Sequence, residues 1–600
     1  MLKIKVSDYV MSFLVQKKIK DMFLISGGGM MHLLDSAKKQ KKLNLIFNLN
    51  EQASGICAES YSQFTNDFGV CMVTTGPGAT NAITGCAGAW TDSTPVMFIS
   101  GQCKTEQMGQ LKGLRIYGAQ EIAIIPCVKP ITKYSVTVLN KNEIAYHLEK
   151  AYYLATHGRK GPVWIDIPLD IQGSIVDEKD LIHFDESKEP LYKKDEMKEH
   201  VISSFYDLLN GSERPVFLIG HGIVASKSQK LIREMSKKWK IPVLATWRAK
   251  GVFGDEEELF MGSPGIPATR FSNYVLQNAD LLIVLGTRLN PAITAYDERH
   301  FAFNAKKIIV DIEEKEIDKL DIHFDLKCVS DVKDFLTSII DHKEKFIKKN
   351  RKKWLDYCNY IKNKYPLEKE VQPKKTDNKV DGYKFASRLS FYSKPTDVFV
   401  GSSSGRTCGI SHMAYRLKKG QRFVTSMGLG SMGWCIPSSI ACAIAGKSRT
   451  LVLEGDGSLQ HNIQELQLIR TYNLPIKVFV YSNNGYASIY TMQVNNFNSR
   501  FAGCNKESGL LFPEIKDIAK TYKLDYYCIK NDKEIDKVLE KIMVDDKACI
   551  CEIIGSIDFD EIPKSMTIAN KDGTFTSSKL ENLYPFVSEQ EQKDNMPEWK

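Results

Sequence analysis

Long apolar runs are absent: nowhere do the 600 residues approach the roughly 18 apolar positions that a membrane-spanning helix requires, which argues against an integral helical membrane protein. A secretory leader is not expected either. The N-terminal MLKIKVSDYVMSFLVQKKIK has a short apolar segment and no small-residue cleavage site, and reads as a helix capped by Ser7. Of the 14 cysteines no two have CxxC spacing, and only Cys549 and Cys551 lie close together, so neither zinc spacing nor a disulfide framework is present. Reduced, buried thiols and a cytoplasmic location are expected. The polarity of a disordered chain is also missing, since 43% of residues are hydrophobic and 26% charged. The net charge of +9 gathers in KKQKK (38–42) and HKEKFIKKNRKKW (342–354), where stacking aromatics are few. These runs read as solvated helices, and neither a nucleic-acid nor a membrane partner is expected.

What is present is ample chain. At roughly 150–200 residues per domain the length implies about three domains. Short apolar strands alternate with helical periods three times over, as parallel sheets with crossover helices require. The first set is MFLIS, NLIFNL, VCMVTT, PVMFISG and PVWIDIP; the second is RPVFLIGHG, IPVLAT, ADLLIVLG and KKIIVDIE; the third is DVFVGSS, RFVTS, TLVLEGDG, IKVFVYSNN and ACICEII. The fold class is therefore α/β, with three doubly wound parallel-sheet domains at 1–175, 195–345 and 375–560 and a C-terminal arm at 561–600. Lys- and Glu-rich sequence at 176–200 and KEVQPKKTDNK (369–379) read as linkers. The first and third domains are candidates for one shared plan.

Glycine-rich turns follow several strands. GLGSMG (428–433) matches the dinucleotide pattern GxGxxG, but the acid expected about 20 residues further on has only Glu454 and Asp456 as candidates, and both belong to another turn. GSSSG (401–405), GPGATN (76–81) and SGGGMM (26–31) are turns where backbone N–H groups can approach an anion. The turn EGDGSLQ (454–460) is different, because Asp456 places a carboxylate between two glycines. Asn483 follows 27 positions later at the end of IKVFVY, a distance that accommodates the helix QHNIQELQLIRTY and a parallel strand returning to the same edge. The Asp456 carboxylate, the Asn483 amide oxygen and the Gly485 carbonyl are hard oxygen ligands suited to Mg²⁺ or Ca²⁺.

GDGS (455–458) followed by NNGY (483–486) resembles the two-part cofactor motif of thiamine diphosphate-dependent enzymes. NEQASGICAESY (50–61), VTTGPGATNAITGCAGAWTDSTPVMFISGQ (73–102) and GLGSMGWCIPSSIACA (428–443) are similar to the acetohydroxyacid synthase (acetolactate synthase) branch, and the resemblance spans about 5–560. It implies pyrimidine-binding, central and diphosphate-binding domains, with thiamine diphosphate and Mg²⁺ as cofactors. Asp456, Asn483 and Gly485 would hold the metal. Glu51 would share a proton with the aminopyrimidine ring, and Gln120 would lie beside the substrate. Met432 would wedge the bent cofactor, with Gly430 offering its carbonyl. Gly28, Pro77, Asn81, Ser402, Ser403, Ser404, Arg406, Gly455, Gly457, Ser458 and Tyr486 complete the implied cofactor set. The implied reaction is decarboxylation of a 2-oxo acid, with pyruvate the default, and carboligation to a second carbonyl compound. Because Glu51 and Asp456 lie in different domains, the resemblance implies a homodimer or tetramer with sites between subunits.

The chain departs from the family in places. Ser482 replaces the first of two adjacent asparagines. Ala119 stands where the family has Phe before the glutamine, which opens room for a larger reactant. Arg406-Thr407 replaces Gln-His, offering a charged contact to the diphosphate. GTRLNPAIT (286–294) keeps only Arg288 of the flavin-binding turn, and FMGSPGIPATR also departs, which argues against FAD. The alternatives are a simple 2-oxo acid decarboxylase, acyl transfer to a keto sugar, a non-catalytic assembly subunit, and, from another class, an NAD-dependent oxidoreductase using GLGSMG.

Overall fold

The computed structural model describes residues 3–189, 198–367, 378–558 and 561–599, apart from 570–572 and 574. Strands β1 (Lys3–Lys5) and β8 (Ile175–Asp177) form an antiparallel pair that closes the first domain. Between them lie β2 (Asp21–Leu24), β3 (Asn44–Phe47), β4 (Gly69–Val73), β5 (Val96–Gln102), β6 (Tyr134–Thr137) and β7 (Val163–Pro168), a parallel sheet in the order β3-β2-β4-β5-β7-β6. The middle sheet comprises β9 (Pro215–Ile219), β10 (Val243–Ala245), β11 (Leu281–Leu285), β12 (Lys306–Asp311) and β13 (Leu326–Val329), ordered β10-β9-β11-β12-β13. The third comprises β14 (Val398–Val400), β15 (Arg422–Val424), β16 (Thr450–Gly455), β17 (Ile476–Ser482), β18 (Asp525–Ile529) and β19 (Cys549–Ile554), ordered β15-β14-β16-β17-β19-β18. First and third sheets thus follow one plan. In both, the strand order reverses beside the first strand, and the crevice at the carboxyl ends opens there.

The inner strands β4, β5, β7, β9, β11 and β17 are buried along their whole length, as expected of strands covered by helices on both faces. Strands β6, β13 and β18 escape the sequence reading because they lack an apolar run. Their sequences YSVT, LKCV and DYYCI mix polar with apolar residues, and each borders only one neighbour.

Several local expectations need correction. The N-terminal helix Val6–Gln16 has Lys5 at its N-cap, and Ser7 lies inside the first turn, where its buried Oγ accepts a hydrogen bond from Ser36 Oγ at 2.8 Å. The helix expected at 460–472 is broken at Asn462 (φ −139°), whose amide donates to the Gly433 carbonyl at 2.8 Å. The basic run 342–354 is not one solvated helix. A short 3-10 turn, Lys343–Lys345, precedes the helix Lys352–Lys364, and Trp354 is buried with Nε1 donating to Pro215 O at 3.2 Å. In the linker at 176–200, β8 and two 3-10 turns are present, while 190–197 lie outside the described residues, as do 368–377 of the second linker.

The domains are locked together rather than strung. Helix Glu51–Thr65, buried from Ala53 through Gln63, packs against helix Cys435–Gly446 of the third domain. Arg248 of the middle domain donates to Thr425 O (2.8 Å) and Asp92 O (3.3 Å), one from each neighbour. The C-terminal arm returns to the middle domain. Arg270 donates to the carbonyls of Leu583 and Pro585, Gln277 to the Glu581 carboxylate at 2.9 Å, and Trp599 Nε1 to Asn278 Oδ1 at 3.0 Å.

The two strands that bear the GSSSG and EGDGS turns are tied at their starts. Arg449, just before β16, pairs with Asp397, just before β14, at 3.1 and 2.8 Å, and both side chains are buried. Removing Asp397 leaves the buried Arg449 with the Met543 and Asp545 carbonyls and the exposed Asp546 carboxylate at 3.7 Å, so Asp397→Ala should cost about 3 kcal/mol of stability, the low end for a broken buried pair. Urea denaturation measures this; an unchanged midpoint would show that the pair does not anchor the sheet.

Candidate functional site

The ends of β16 and β17 sit side by side, with Gly455 opposite Tyr481 in parallel register. Asp456 opens the short helix Asp456–Leu459 immediately after β16. Its Oδ2 accepts the backbone N–H groups of Asn483 (2.8 Å) and Asn484 (2.6 Å), and its Oδ1 accepts that of Gly457 (2.8 Å). Burial pushes this carboxyl up to about 6, against the three N–H donors that favour the charged form. Asn483 Oδ1 accepts from Gly485 N at 3.1 Å. Both glycines of the corner are required by close approach. A Cβ at Gly485 would lie 2.3 Å from the Cys504 carbonyl oxygen, and one at Gly457 2.4 Å from the Tyr486 ring. Asp456, Gly457, Asn483, Gly485 and Tyr486 therefore share one corner.

Two more turns join it. Ser403 Oγ donates to Ser431 O at 2.8 Å, and Ser458 Oγ accepts from Gly433 N at 2.9 Å, which ties GSSSG and EGDGS to the GLGSMG loop carrying Gly430 and the half-buried Met432. Ser402 Oγ donates to Ser404 O (3.1 Å) and accepts from Thr407 Oγ1 (2.9 Å). Helix Gly405–Ala414 begins here with Ser404 at its N-cap and no side-chain cap, so its leading N–H groups remain at the strand ends. A helix N-terminus left in this way suits an anionic group. Arg406, in the first turn, is buried, and its guanidinium donates to Thr491 Oγ1 of the helix Ala487–Asn496.

The first domain gathers the remaining candidates. Glu51 is the first residue of its helix, which Asn50 caps by accepting from Gln52 N at 2.8 Å. Its Oε2 accepts from Asn81 Nδ2 at 3.0 Å, and a Cβ at Gly78 would come 3.4 Å from its Oε1, so Glu51, Pro77 and Asn81 lie around one turn. Gln120 approaches the same turn, since a Cβ at Gly76 (φ +62°) would lie 2.2 Å from the Gln120 carbonyl oxygen. Gly28 is exposed in the turn after β2, where the neighbouring Gly29 N donates to Thr74 Oγ1 at 3.0 Å. No hydrogen bond among the described residues joins this group to the Asp456 corner.

Sequence reasoning missed the residues that set these turns. Glu465 is buried and accepts Asn48 Nδ2 (3.0 Å) and Leu49 N (2.9 Å), so the third domain holds the loop that leads into Glu51. Its only signal was an acid among the apolar positions of 463–469. Glu59, inside the Glu51 helix, accepts from Trp434 Nε1 (3.0 Å) and Gln63 Nε2 (2.7 Å); burial, and then the charge of Asp92, raises its pKa. Glu454 is likewise buried, which pushes it up to about 7.

In the middle domain a cavity of about 220 Å³ opens at the carboxyl ends of β9, β11 and β12, lined by His221, Gly286, Arg288 and Asp311 among others. GLGSMG follows the outer strand β15, and its glycines serve packing: a Cβ at Gly428 would lie 2.6 Å from Thr91, and one at Gly433 2.6 Å from His461. Among the described residues no helix is long and apolar enough to cross a membrane.

Comparison with known proteins agrees with this architecture. Residues 4–124, 202–339 and 403–553 match, in turn, the N-terminal TPP binding, central and C-terminal TPP binding domains of thiamine pyrophosphate enzymes. The chain is 31% identical over 558 residues to the acetolactate synthase large subunit of Cyanidium caldarium, covering 89% of this chain and 90% of that protein. It is 28% identical to the probable acetolactate synthase large subunit of Methanocaldococcus jannaschii, covering 92% of each. A further relative is acetolactate synthase 1, chloroplastic, of Zea mays, at 28% identity over 90% of this chain and 83% of that protein. With three matched domains in the family's order and three parallel sheets to carry them, the chain belongs to the thiamine pyrophosphate enzymes.

Proposed function

We propose that this enzyme is a thiamine diphosphate- and Mg²⁺-dependent carboligase that decarboxylates a 2-oxo acid, pyruvate by default, and joins the retained acyl unit to a second carbonyl compound. The observation that carries the reading is the Asp456 corner, where one carboxylate binds the backbone of the neighbouring strand end at Asn483 and Asn484. The names of the relatives, acetolactate synthases, supply the reaction class.

The residues present fit both cofactors. The Asp456 carboxylate, the Asn483 amide and the Gly485 backbone meet in one corner, and oxygen donors of this kind suit a hard cation. Asp456, Asn483 and the Gly485 carbonyl would hold Mg²⁺, leaving positions for phosphate oxygens. The uncapped start of helix Gly405–Ala414, with Ser402, Ser403 and Ser404, would receive the diphosphate. Arg406 stands behind them as a fixed positive charge. Thiamine diphosphate supplies an ionisable thiazolium carbon and an electron sink for decarboxylation. Glu51, held by the Asn81 amide, would hydrogen-bond the pyrimidine ring and move the activating proton. Met432 and the Gly430 carbonyl would orient the rings, and Gln120 would face the substrate.

Two further features shape the reading. Large apolar side chains stand exposed near both residue groups: Leu111, Leu114, Ile116 and Tyr117 on one side, Leu429, Ile489, Met492 and Phe497 on the other. Surface of this kind calls for cover, and a second copy of the chain provides it, so we place the complete site between the subunits of a homodimer or tetramer. Ala119 is exposed beside Gln120, which favours a bulkier acceptor, such as a keto sugar, as a second reading.

With thiamine diphosphate, Mg²⁺ and a panel of 2-oxo acids, CO₂ release and product mass identify donor and acceptor. Release of CO₂ with only an aldehyde product would make the enzyme a simple decarboxylase. Glu51→Gln should lower turnover by about 10²–10⁴-fold while the cofactor still binds. Unchanged turnover would sink the proposed role of Glu51. The Asp456 carboxyl, at about 6, is mostly ionised above that pH, and only the ionised form binds a cation well. Apparent Mg²⁺ affinity, measured calorimetrically, should thus hold from pH 7 to 8 and fall about tenfold per unit below pH 6. Asp456→Asn should remove that slope.

A further inference from the structure

The segment between β5 and helix Ile124–Val128 has no strand to hold it, yet it carries Gln120. Thr105 ties its start to Asp170 and Gln102 ties its end through the Ile122 carbonyl, and the stretch between, 109–118, is held by Glu121. Its carboxylate, 5% exposed, accepts four backbone N–H groups: Oε2 from Gly109 (2.8 Å), Tyr117 (2.9 Å) and Gly118 (3.3 Å), and Oε1 from Gln110 (2.9 Å). The donors come from both ends of residues 109–118, which double back through Gly113 (φ +72°) with Leu114 N bonded to Gly109 O at 2.9 Å. Among the described residues no cation pairs with this carboxylate. Lys112 and Arg115 are exposed, and Lys112 Nζ donates to Glu106 O. Burial alone would raise its pKa, but the four N–H groups outweigh burial and hold the carboxyl below its ordinary value.

Gln120 lies between this clamp and the Gly76 turn. Its backbone is left-handed (φ +57°), and its carbonyl presses on Gly76 so closely that only a glycine fits there. Glu121 N closes the short span by donating to Gly118 O at 3.3 Å. Two residues therefore separate the clamped Gly118 from the clamping Glu121, and they are Ala119 and Gln120.

We propose that Glu121 is a positioning residue for the reaction: its carboxylate closes the 109–118 loop and thereby fixes Ala119 and Gln120 at the mouth of the site beside Glu51. The proposal rests on the reading of Gln120 as substrate-facing. A carboxylate suits the task because it accepts from four donors at once, whereas a glutamine amide turns an NH₂ group toward some of them.

The test compares the holoenzyme with Glu121→Gln, Glu121→Asp, Gln120→Ala and the double variant Gln120→Ala/Glu121→Gln. Hydrogen exchange of the peptide spanning 104–121 should speed up by about tenfold or more in Glu121→Gln, with melting temperature and subunit count unchanged. The same variant should lose about tenfold or more in kcat/KM, and Glu121→Asp should recover part of it. The double variant should be no worse than Gln120→Ala, because Glu121 acts through Gln120. Unchanged exchange, or losses that simply add, would overturn the proposal. If Gln120→Ala is itself silent, the substrate-facing reading of Gln120 fails, while the exchange measurement still decides whether Glu121 holds the loop. Should Glu121→Gln not fold, Glu121→Asp and Tyr117→Pro, which deletes one donor from an exposed position, carry the exchange measurement.

Discussion

The hydrogen bonds from the backbone of Asn483 and Asn484 to the Asp456 carboxylate hold two strand ends at one height, and the rest of the third domain is arranged about them. Burial pushes the pKa of this carboxylate up, and the three backbone N–H groups that bind it work against the rise. Its neighbours are fixed to the same frame. Ser458 reaches the Gly433 backbone, Ser403 reaches Ser431, and Asn462 breaks its own helix to bond Gly433.

The same device recurs between domains and within one. Glu465 binds the backbone of Leu49 and the side chain of Asn48, so the loop entering the Glu51 helix is set by the third domain. Glu121 clamps four N–H groups within the first domain. In each case a carboxylate replaces sheet hydrogen bonds where the chain leaves regular structure. Such bonds to a charged acceptor are roughly twice as strong as neutral ones, and they fix loops that no strand reaches.

Legibility in the sequence followed burial. Strands such as ADLLIVLG and IKVFVYSNN are covered on both faces and announce themselves as apolar runs. Edge strands such as YSVT and LKCV have a solvent side, and their polar residues hide the pattern. Ser7 has the composition of a cap but is spent on Ser36, and the basic run 342–354 hides a buried Trp354. Local propensity is a weak guide wherever a tertiary partner competes for the same group. Glu465 and Glu121 were invisible as anchors because their partners are backbone amides, which every residue but proline carries and no motif marks.

The sequence by itself determined the three-sheet α/β plan and the pairing of Asp456 with Asn483, because strand burial and strand-to-strand spacing are written along the chain. Only the tertiary structure decided that the first and third sheets share one strand order, that the C-terminal arm returns to the middle domain, and that Glu51, Asn81 and Gln120 gather around the Gly76 turn. Those outcomes rest on contacts between residues distant in the chain, where close approach of a glycine or a carboxylate to backbone selects the partner, and no local pattern encodes which backbone that will be.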